Sequence, residues 1–266
     1  MYVLILPSLK YIPSCHDGQN AMDDSSSWTG SSWRLIGALT RLSERNMLEI
    51  ETCPIVVMIP CSEENIVPGI MSRRHSEYGD YMNPICQAHG EFVATKLHPY
   101  IKNRFRVKEE HISTIGSSLG GQASFQLLLR YPEIFGGAAC MSPCFQPGTI
   151  AATMANLVAT GSEVALPSNS TSLHSKRLYI DNGGDADDTK VPLFDLHDHL
   201  TANDRFWNPG YWWLDTSLQP LIDAMRFVLD EGGVEYTYEK FPGARHNERA
   251  WAQRIHRPLL GLYGKK

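Results

Sequence analysis

Short apolar runs alternate with longer helical patterns along the chain. The predicted strands are 2–6, 54–59, 111–115, 135–141, 177–181 and 234–241. The run at 54–59 is continuously apolar, which is typical of a strand covered on both faces in a parallel sheet. Helical spacing of apolar residues follows in 90–105 and in 218–229. This alternation predicts one doubly wound α/β domain across the 266 residues.

Two long segments show no clear periodicity. Residues 142–175 are rich in Ser, Thr, Pro and Ala, and residues 182–214 are rich in Asp, Trp and Pro. Loops longer than about 15 residues are uncommon in compact domains unless they are functional. Both segments follow predicted strands, so we expect both at the carboxyl edge of the sheet, where open α/β folds bind ligands.

Composition and charge exclude several classes of partner. The formal net charge of −5 arises from 29 acidic and 24 basic residues without a basic block, which argues against a nucleic-acid partner. No apolar run is long enough for a membrane span, and the opening MYVLILPSL lacks the basic start of a signal peptide. The 6 cysteines contain no CxxC motif and are expected to be free thiols. We therefore expect a cytoplasmic location and no membrane partner.

The most informative motif is GSSLG at 116–120, between a predicted strand and a predicted helix. In this context G-x-S-x-G is typical of a nucleophile elbow, where a strained serine requires small residues two positions before and after it. Ser118 has Gly116 and Gly120 at those positions, whereas Ser117 would have bulky aliphatic residues there. The alternative is a closely packed or phosphate-binding turn, but no phosphate-loop motif is present. Ser118 is the predicted nucleophile.

A serine hydroxyl needs a general base, which histidine supplies near neutral pH. His246 follows the last predicted strand and a Pro-Gly break, and it precedes a helical pattern. Hydrolases with this elbow place the base after the last strand, in the chain order serine, acid, histidine. His256 lies inside the final helix, and His197 and His199 precede the last strand. His246 is therefore the predicted base, with a plain surface histidine as the alternative.

Four segments, taken in order, resemble the putative esterase family of α/β-hydrolases. They are HDGQN at 16–20, RHSEY at 74–78, GSSLGG at 116–121 and GARHNERAW at 243–251. The resemblance implies an α/β-hydrolase fold, with a mostly parallel central sheet flanked by helices, and the hydrolysis of carboxylic esters without a cofactor. Arg74 and Glu77 are interpreted as a surface ion pair with no chemical step.

The resemblance also implies an oxyanion hole made of backbone N–H groups. Carried over to this chain, the donors belong to Leu119 and to the turn around Gly18 and Gln19. The family has an apolar strand directly before this turn. Here the corresponding segment is short, and we expect Pro13 to break it.

The third member of a triad orients the histidine and stabilises its charged form. In the resembling family the acid lies just before a helix, and that helix and one strand separate it from the histidine. Leu214-Asp215, followed by Pro220, fits this description at a helix expected to start near residue 213. Asp215 is the predicted acid, although it could also be an N-cap. Asp187 and Asp188, which follow the strand at 177–181, are the alternative acids.

If Asp215 is the acid, residues from about 184 to 213 form an insertion. Its acidic cluster at 185–188 lacks EF-hand spacing, which favours a solvated loop over a Ca²⁺ site, and no metal is predicted. Its aromatic residues Trp207, Trp212 and Trp213 are candidates for substrate binding, with packing of the insertion as an equal alternative.

Together these features predict a single serine esterase domain over residues 1–266, acting through Ser118, His246 and Asp215 on a small-molecule or glycan-linked ester. One alternative is an acyltransferase with the same triad. The other is a non-catalytic carbohydrate- or Ca²⁺-binding protein on a hydrolase scaffold. The sequence does not indicate an oligomeric state.

Overall fold

Seven strands within the part of the chain that the structure describes form one sheet: β1 Tyr2–Leu4, β2 Ile12–His16, β3 Val56–Ile59, β6 Ile112–Ser117, β7 Gly137–Met141, β8 Arg177–Asn182 and β9 Thr237–Lys240. Their order in the sheet is β1-β3-β2-β6-β7-β8-β9. Strand β1 is antiparallel to β3, and the other neighbouring pairs are parallel. A separate two-stranded hairpin joins β4 Asn65–Val67 to β5 Met71–Ser72.

These elements come from a computed structural model, which describes residues 2–4, 12–27, 30–49, 55–62, 64–67, 71–105, 107, 112–161, 173–184 and 209–265. Within those ranges the helices are α1 Leu35–Glu44, α2 Arg74–Glu77, α3 Pro84–Phe92, α4 His98–Arg104, α5 Leu119–Arg130, α6 Pro147–Gly161, α7 Pro209–Glu231, α8 Glu248–Arg254 and α9 His256–Tyr263. A π-helical turn, Val93–Leu97, joins α3 to α4.

Helices cover both faces of the sheet. Side chains of β3 alternate between two cores, with Val57 on the side of Phe125 in α5 and Met58 on the side of Leu259 in α9. All four residues of β3 are buried, because both faces of the strand are covered. The predicted α/β fold with a mostly parallel sheet is therefore confirmed.

The expectation that Pro13 would break the strand before the HDGQN turn is wrong, because β2 includes Pro13 and continues to His16. Pairing with β6 begins at Ile12, whereas pairing with β3 begins only at Ser14. Pro13 therefore has a neighbouring strand on one side only, a place where a residue without an N–H is tolerated.

The segment 142–175, predicted only as an unassigned loop, contains the 15-residue helix α6. Its first turn contacts Asp80, whose Oδ2 accepts a hydrogen bond from the Gly148 N–H at 3.1 Å. The side chain of Gln126 reaches the same turn and donates to Thr149 Oγ1 at 2.8 Å. The helix is thus fixed by contacts from distant parts of the chain, which local periodicity does not reveal.

Helix α7 begins at Pro209, earlier than the predicted start near residue 213. Asp215 therefore lies inside the helix and not just before it, so the N-cap interpretation is wrong. The part of the predicted insertion at 185–208 lies outside the described residues.

None of the described helices combines the length and apolar character that a membrane crossing requires. The cysteines within the described ranges are all free thiols, as predicted: Cys15, Cys61, Cys86, Cys140 and Cys144.

Candidate active site

Ser118 occupies the sharp turn between β6 and α5. Its backbone adopts φ 56° and ψ −126°, a conformation that side-chain-bearing residues rarely hold. A methyl group at Gly116 would overlap the carbonyl of Gly120, so the residue two positions before the serine must lack a Cβ. At Gly120 a Cβ would lie 2.8 Å from Asp17 Oδ2, because the turn after β2 packs against the start of α5. Both glycines are therefore required by close approach.

His246 lies in the loop between β9 and α8 and contacts the serine directly. Its Nε2 lies 2.9 Å from Ser118 Oγ, and the residue is only 5% exposed. The next residue, Asn247, caps α8 by accepting a hydrogen bond from the Ala250 N–H at 3.0 Å. This cap fixes where the loop ends and the helix begins, and so fixes the position of the histidine.

The surroundings of His246 favour its neutral form. Burial, together with the positive charges of Arg254 and Arg74, lowers the pKa of His246 to about 3. The indole ring of Trp251 meets the imidazole edge-on at a centroid separation of 5.0 Å. A neutral imidazole can accept a proton from the serine hydroxyl, which is the state required of a general base.

Two segments carry backbone N–H groups that their own local structure leaves available. Leu119 is the first residue of α5, and its N–H has no acceptor within the helix. The turn after β2 forms one 3₁₀ turn, Gly18–Asn20, whose own hydrogen bonds use the N–H groups of Asn20 and Ala21. The N–H groups of Gly18 and Gln19 are not used in that turn. These three residues are the oxyanion-hole candidates predicted from the sequence.

A buried ion pair supports this turn and corrects the interpretation of Arg74. Arg74 does not pair with Glu77 at the surface. Instead its Nε and Nη2 donate to the two carboxylate oxygens of Asp17 at 2.7 and 2.6 Å. The side chains are 12% and 1% exposed respectively, and Asp17 has a left-handed backbone with φ 54°. Glu77 bonds elsewhere, accepting from the Ser62 N–H at 3.1 Å.

Cys144 is a site residue that the sequence analysis did not single out. Its Sγ lies 3.2 Å from Ser118 Oγ, and its backbone N–H donates to the carbonyl of Ser118 at 3.1 Å. The available signal was its place shortly after β7, the strand next to β6, since the carboxyl ends of neighbouring parallel strands meet at one edge.

Of the three candidate acids, only Asp215 lies within the described residues. Asp215 is placed in the first half of α7, four residues before Gln219, whose side chain accepts a hydrogen bond from Asn182 at the end of β8. Asp215 and Gln219 therefore have the spacing at which two helical positions share a face. The alternatives Asp187 and Asp188 lie outside the described residues.

Asp181, at the end of β8, is fully buried and already occupied by other donors. It accepts hydrogen bonds from the Ser142 N–H, from the Tyr179 hydroxyl and from the Arg254 guanidinium, at 3.0 to 3.2 Å. Burial raises the pKa of Asp181, and Arg254 opposes that rise. This aspartate ties β7, β8 and α8 together.

The remaining predicted groups lie at or beyond the edge of the described structure. Trp212 and Trp213 fall in the first turns of α7, and Trp207 lies outside the described residues. Within the described ranges, no cluster of three or more His, Cys, Asp or Glu side chains could hold a metal ion.

The elbow between β6 and α5, together with a histidine loop after the last strand of a mostly parallel sheet, defines the α/β-hydrolase fold. The chain matches the family model described as "Putative esterase" over residues 14–262. It therefore belongs to the putative esterase family, whose members are carboxylic ester hydrolases.

Solved structures with the same fold carry related names at low sequence identity. The enterobactin esterase FES from Shigella flexneri is 16% identical, with a TM-score of 0.55 over 95% of this chain and 52% of that chain. A ferulic acid esterase is 14% identical, with a TM-score of 0.57 over 95% of this chain and 84% of that one. The enterobactin and salmochelin hydrolase IroE is 16% identical, with a TM-score of 0.54 over 96% and 84%.

This chain thus spans about half the length of the FES enzyme and most of the other two. No curated protein sequence matches it.

Proposed function

We propose that this protein hydrolyses carboxylic esters through a covalent acyl-serine intermediate. The observation that carries the proposal is the 2.9 Å contact between Ser118 Oγ and His246 Nε2 at a strained elbow. Family membership supports the reaction class, because the matched region spans β2 to α9 and therefore includes the whole candidate site.

In the proposed acylation step, Ser118 Oγ attacks the ester carbonyl carbon while its proton passes to His246 Nε2. Collapse of the tetrahedral intermediate breaks the bond to the alcohol, which leaves with that proton. Water then attacks the acyl-serine, with His246 as base, and the proton returns to Ser118 Oγ as the acid departs. These steps use only groups of the protein, the substrate and one water molecule.

The negative charge of both tetrahedral intermediates is assigned to the N–H groups of Leu119, Gln19 and Gly18. Preorganised donors of this kind are each worth about 3 kcal/mol of transition-state stabilisation in comparable sites. The Asp17–Arg74 ion pair supports this assignment, because it holds the turn that contains Gly18 and Gln19.

The proposed acid is Asp215, with Asp187 and Asp188 as the alternatives. The helical spacing of Asp215 from Gln219 supports it, since the Gln219 side chain bonds to both Asn182 and Tyr238. Its place inside the helix departs from the pattern by which it was selected.

We propose a small-molecule or glycan-linked ester as the substrate. The names of similar structures, which include enterobactin and ferulic acid esterases, support a small-molecule ester. Trp207, Trp212 and Trp213 are proposed to contact it, because their segment precedes or begins α7.

Replacing the serine tests the proposed mechanism. We expect Ser118→Ala to lose hydrolysis of short-chain nitrophenyl esters by at least about three orders of magnitude, because the acyl acceptor is removed. A fluorophosphonate probe should label the parent protein at Ser118 and should not label the variant. Ser117→Ala is the matched control and should retain both activity and labelling. Turnover that persists in Ser118→Ala would refute the mechanism, and an unlabelled, inactive parent protein would favour a non-catalytic binding protein.

Amide substitutions identify the acid. We expect Asp215→Asn to lower kcat by about 10³- to 10⁴-fold, because the imidazole loses its orienting carboxylate and its stabilised tautomer. Asp187→Asn and Asp188→Asn should each stay within a few-fold of the parent protein, measured with the same nitrophenyl ester. If Asp187→Asn or Asp188→Asn loses most of its kcat while Asp215→Asn stays active, the aspartate replaced in the inactive variant is the acid.

A further inference from the structure

The thiol of Cys144 is fixed against the nucleophile by the backbone on both sides of the contact. The Ser118 N–H donates to the carbonyl of Met141 at 2.9 Å, and the Cys144 N–H donates back to the carbonyl of Ser118 at 3.1 Å. Ser117 and Met141 are also register partners between β6 and β7. The separation of 3.2 Å between Cys144 Sγ and Ser118 Oγ is therefore set by the sheet and not by a mobile side chain alone.

The protons available at the site decide the direction of this hydrogen bond. Burial raises the pKa of the Cys144 thiol, so the sulfur keeps its proton, and burial lowers that of His246, so the imidazole is neutral. A serine hydroxyl has one proton and two acceptor positions. In the reactive arrangement that proton points to His246 Nε2, which leaves Ser118 Oγ to accept a hydrogen bond from the thiol.

We propose that Cys144 is a catalytic residue whose S–H donates to Ser118 Oγ and assists its departure from the acyl-enzyme. This inference rests on the proposed serine mechanism. During deacylation the bond between the acyl carbon and Ser118 Oγ breaks, and the electron pair stays on that oxygen. The proton that completes the serine hydroxyl comes from His246 Nε2, while the thiol keeps its own proton and stabilises the developing charge as a donor.

During acylation the same hydrogen bond does not assist the reaction. There Ser118 Oγ is the nucleophile, and a donor that occupies one of its lone pairs lowers its reactivity. Removal of the thiol is therefore expected to slow deacylation while leaving acylation unchanged or slightly faster. A side chain that only fills space would not separate the two steps in this direction.

The test is pre-steady-state hydrolysis of a nitrophenyl ester by the full chain, in which the burst rate reports acylation and the steady rate reports deacylation. We expect Cys144→Ala to lower the steady rate per active site by about 3- to 10-fold, the range for loss of one modest hydrogen bond, without lowering the burst rate. Cys144→Ser restores a donor on a shorter side chain, so its steady rate should recover at least in part.

Cys86→Ala is the matched control for loss of a buried thiol. The Cys86 thiol lies on α3 and donates to Gln126 Oε1 at 2.8 Å, so both rates of this variant should equal those of the parent protein. Equal losses in burst and steady rate in Cys144→Ala, or no change in either, would overturn the role of the thiol. The mechanism itself is judged separately, by the turnover of Ser118→Ala and by fluorophosphonate labelling of the parent protein at Ser118.

Discussion

At the scale of single residues, the Asp17–Arg74 pair supports the turn after β2 that carries the proposed oxyanion donors. Asp17 is held in a left-handed conformation directly after β2, and the two-point contact with Arg74 fixes its carboxylate. A left-handed conformation is unfavourable for most residues and persists only when the surroundings determine it. Arg74 therefore fixes the carboxylate of Asp17, and its positive charge also contributes to lowering the pKa of His246.

Removal of the arginine leaves a buried carboxylate without its partner. We expect Arg74→Met to lower the free energy of unfolding by about 3–5 kcal/mol, because the charge of Asp17 stays buried and uncompensated. Urea denaturation followed by circular dichroism measures this change. The double variant Asp17→Asn/Arg74→Met should recover part of the loss, since it removes the stranded charge. Additive losses in the double variant would show that the two side chains are not coupled.

Single residues also mark how far the sequence could predict the site. Ser118 and His246 were identified because a steric motif and a position after the last strand are both visible along the chain. The structure brings these two side chains into contact. The Asp17–Arg74 pair and Cys144 were not identified, because each depends on a contact between segments that are far apart in sequence.

At the scale of elements, α6 shows what local patterns omit. Its sequence alternates small and apolar residues without a strong polar face, so periodicity left it as a loop. Its start is instead determined by Asp80, whose carboxylate accepts hydrogen bonds from Gly148 and Thr149 in the first turn. A negative charge at a helix N-terminus also interacts favourably with the helix dipole.

This contact predicts the effect of a substitution at position 80. We expect Asp80→Ala to reduce the free energy of unfolding by about 1–2 kcal/mol, because the first turn of α6 loses its acceptor. Asp80→Asn keeps an acceptor and should lose less. Chemical denaturation of the two variants beside the parent protein measures the difference. Equal stability of all three proteins would show that α6 does not depend on this cap.

Strand β2 shows that the arrangement of neighbouring strands can also determine where a strand forms. Pro13 was expected to break the strand, because proline cannot donate to a ladder. It is tolerated because β2 extends along β6 before β3 begins to pair with it. Strand stagger of this kind is a property of the assembled sheet, so no local pattern could have predicted it.

At the scale of the whole molecule, buried histidines make stability depend on pH. Burial is the largest cause that lowers the pKa of His16, His89 and His246. The unfolded chain therefore binds more protons than the folded protein below about pH 6.5, the usual histidine value. The stability contributed by keeping these histidines neutral is complete above that pH and is lost as the pH falls towards the folded values.

A histidine variant isolates this contribution from that of the carboxylates. Each affected histidine adds a slope of up to about 1.4 kcal/mol per pH unit. We expect His89→Gln to lose less stability than the parent protein between about pH 6.5 and pH 4.5, measured as denaturation midpoints over a pH series. Parallel curves for the two proteins would contradict a lowered pKa of His89 in the folded protein.

The backbone conformation of Ser118 affects which substitutions at this position would stabilise the protein. Its backbone angles cost about 1–3 kcal/mol relative to a relaxed residue, and the strands and helix that enclose the turn must supply that energy. The proposed nucleophile is therefore also a position at which the fold is less stable than it could be. Selection for greater thermal stability alone would favour glycine there, so the serine is expected to persist only where catalysis is under selection.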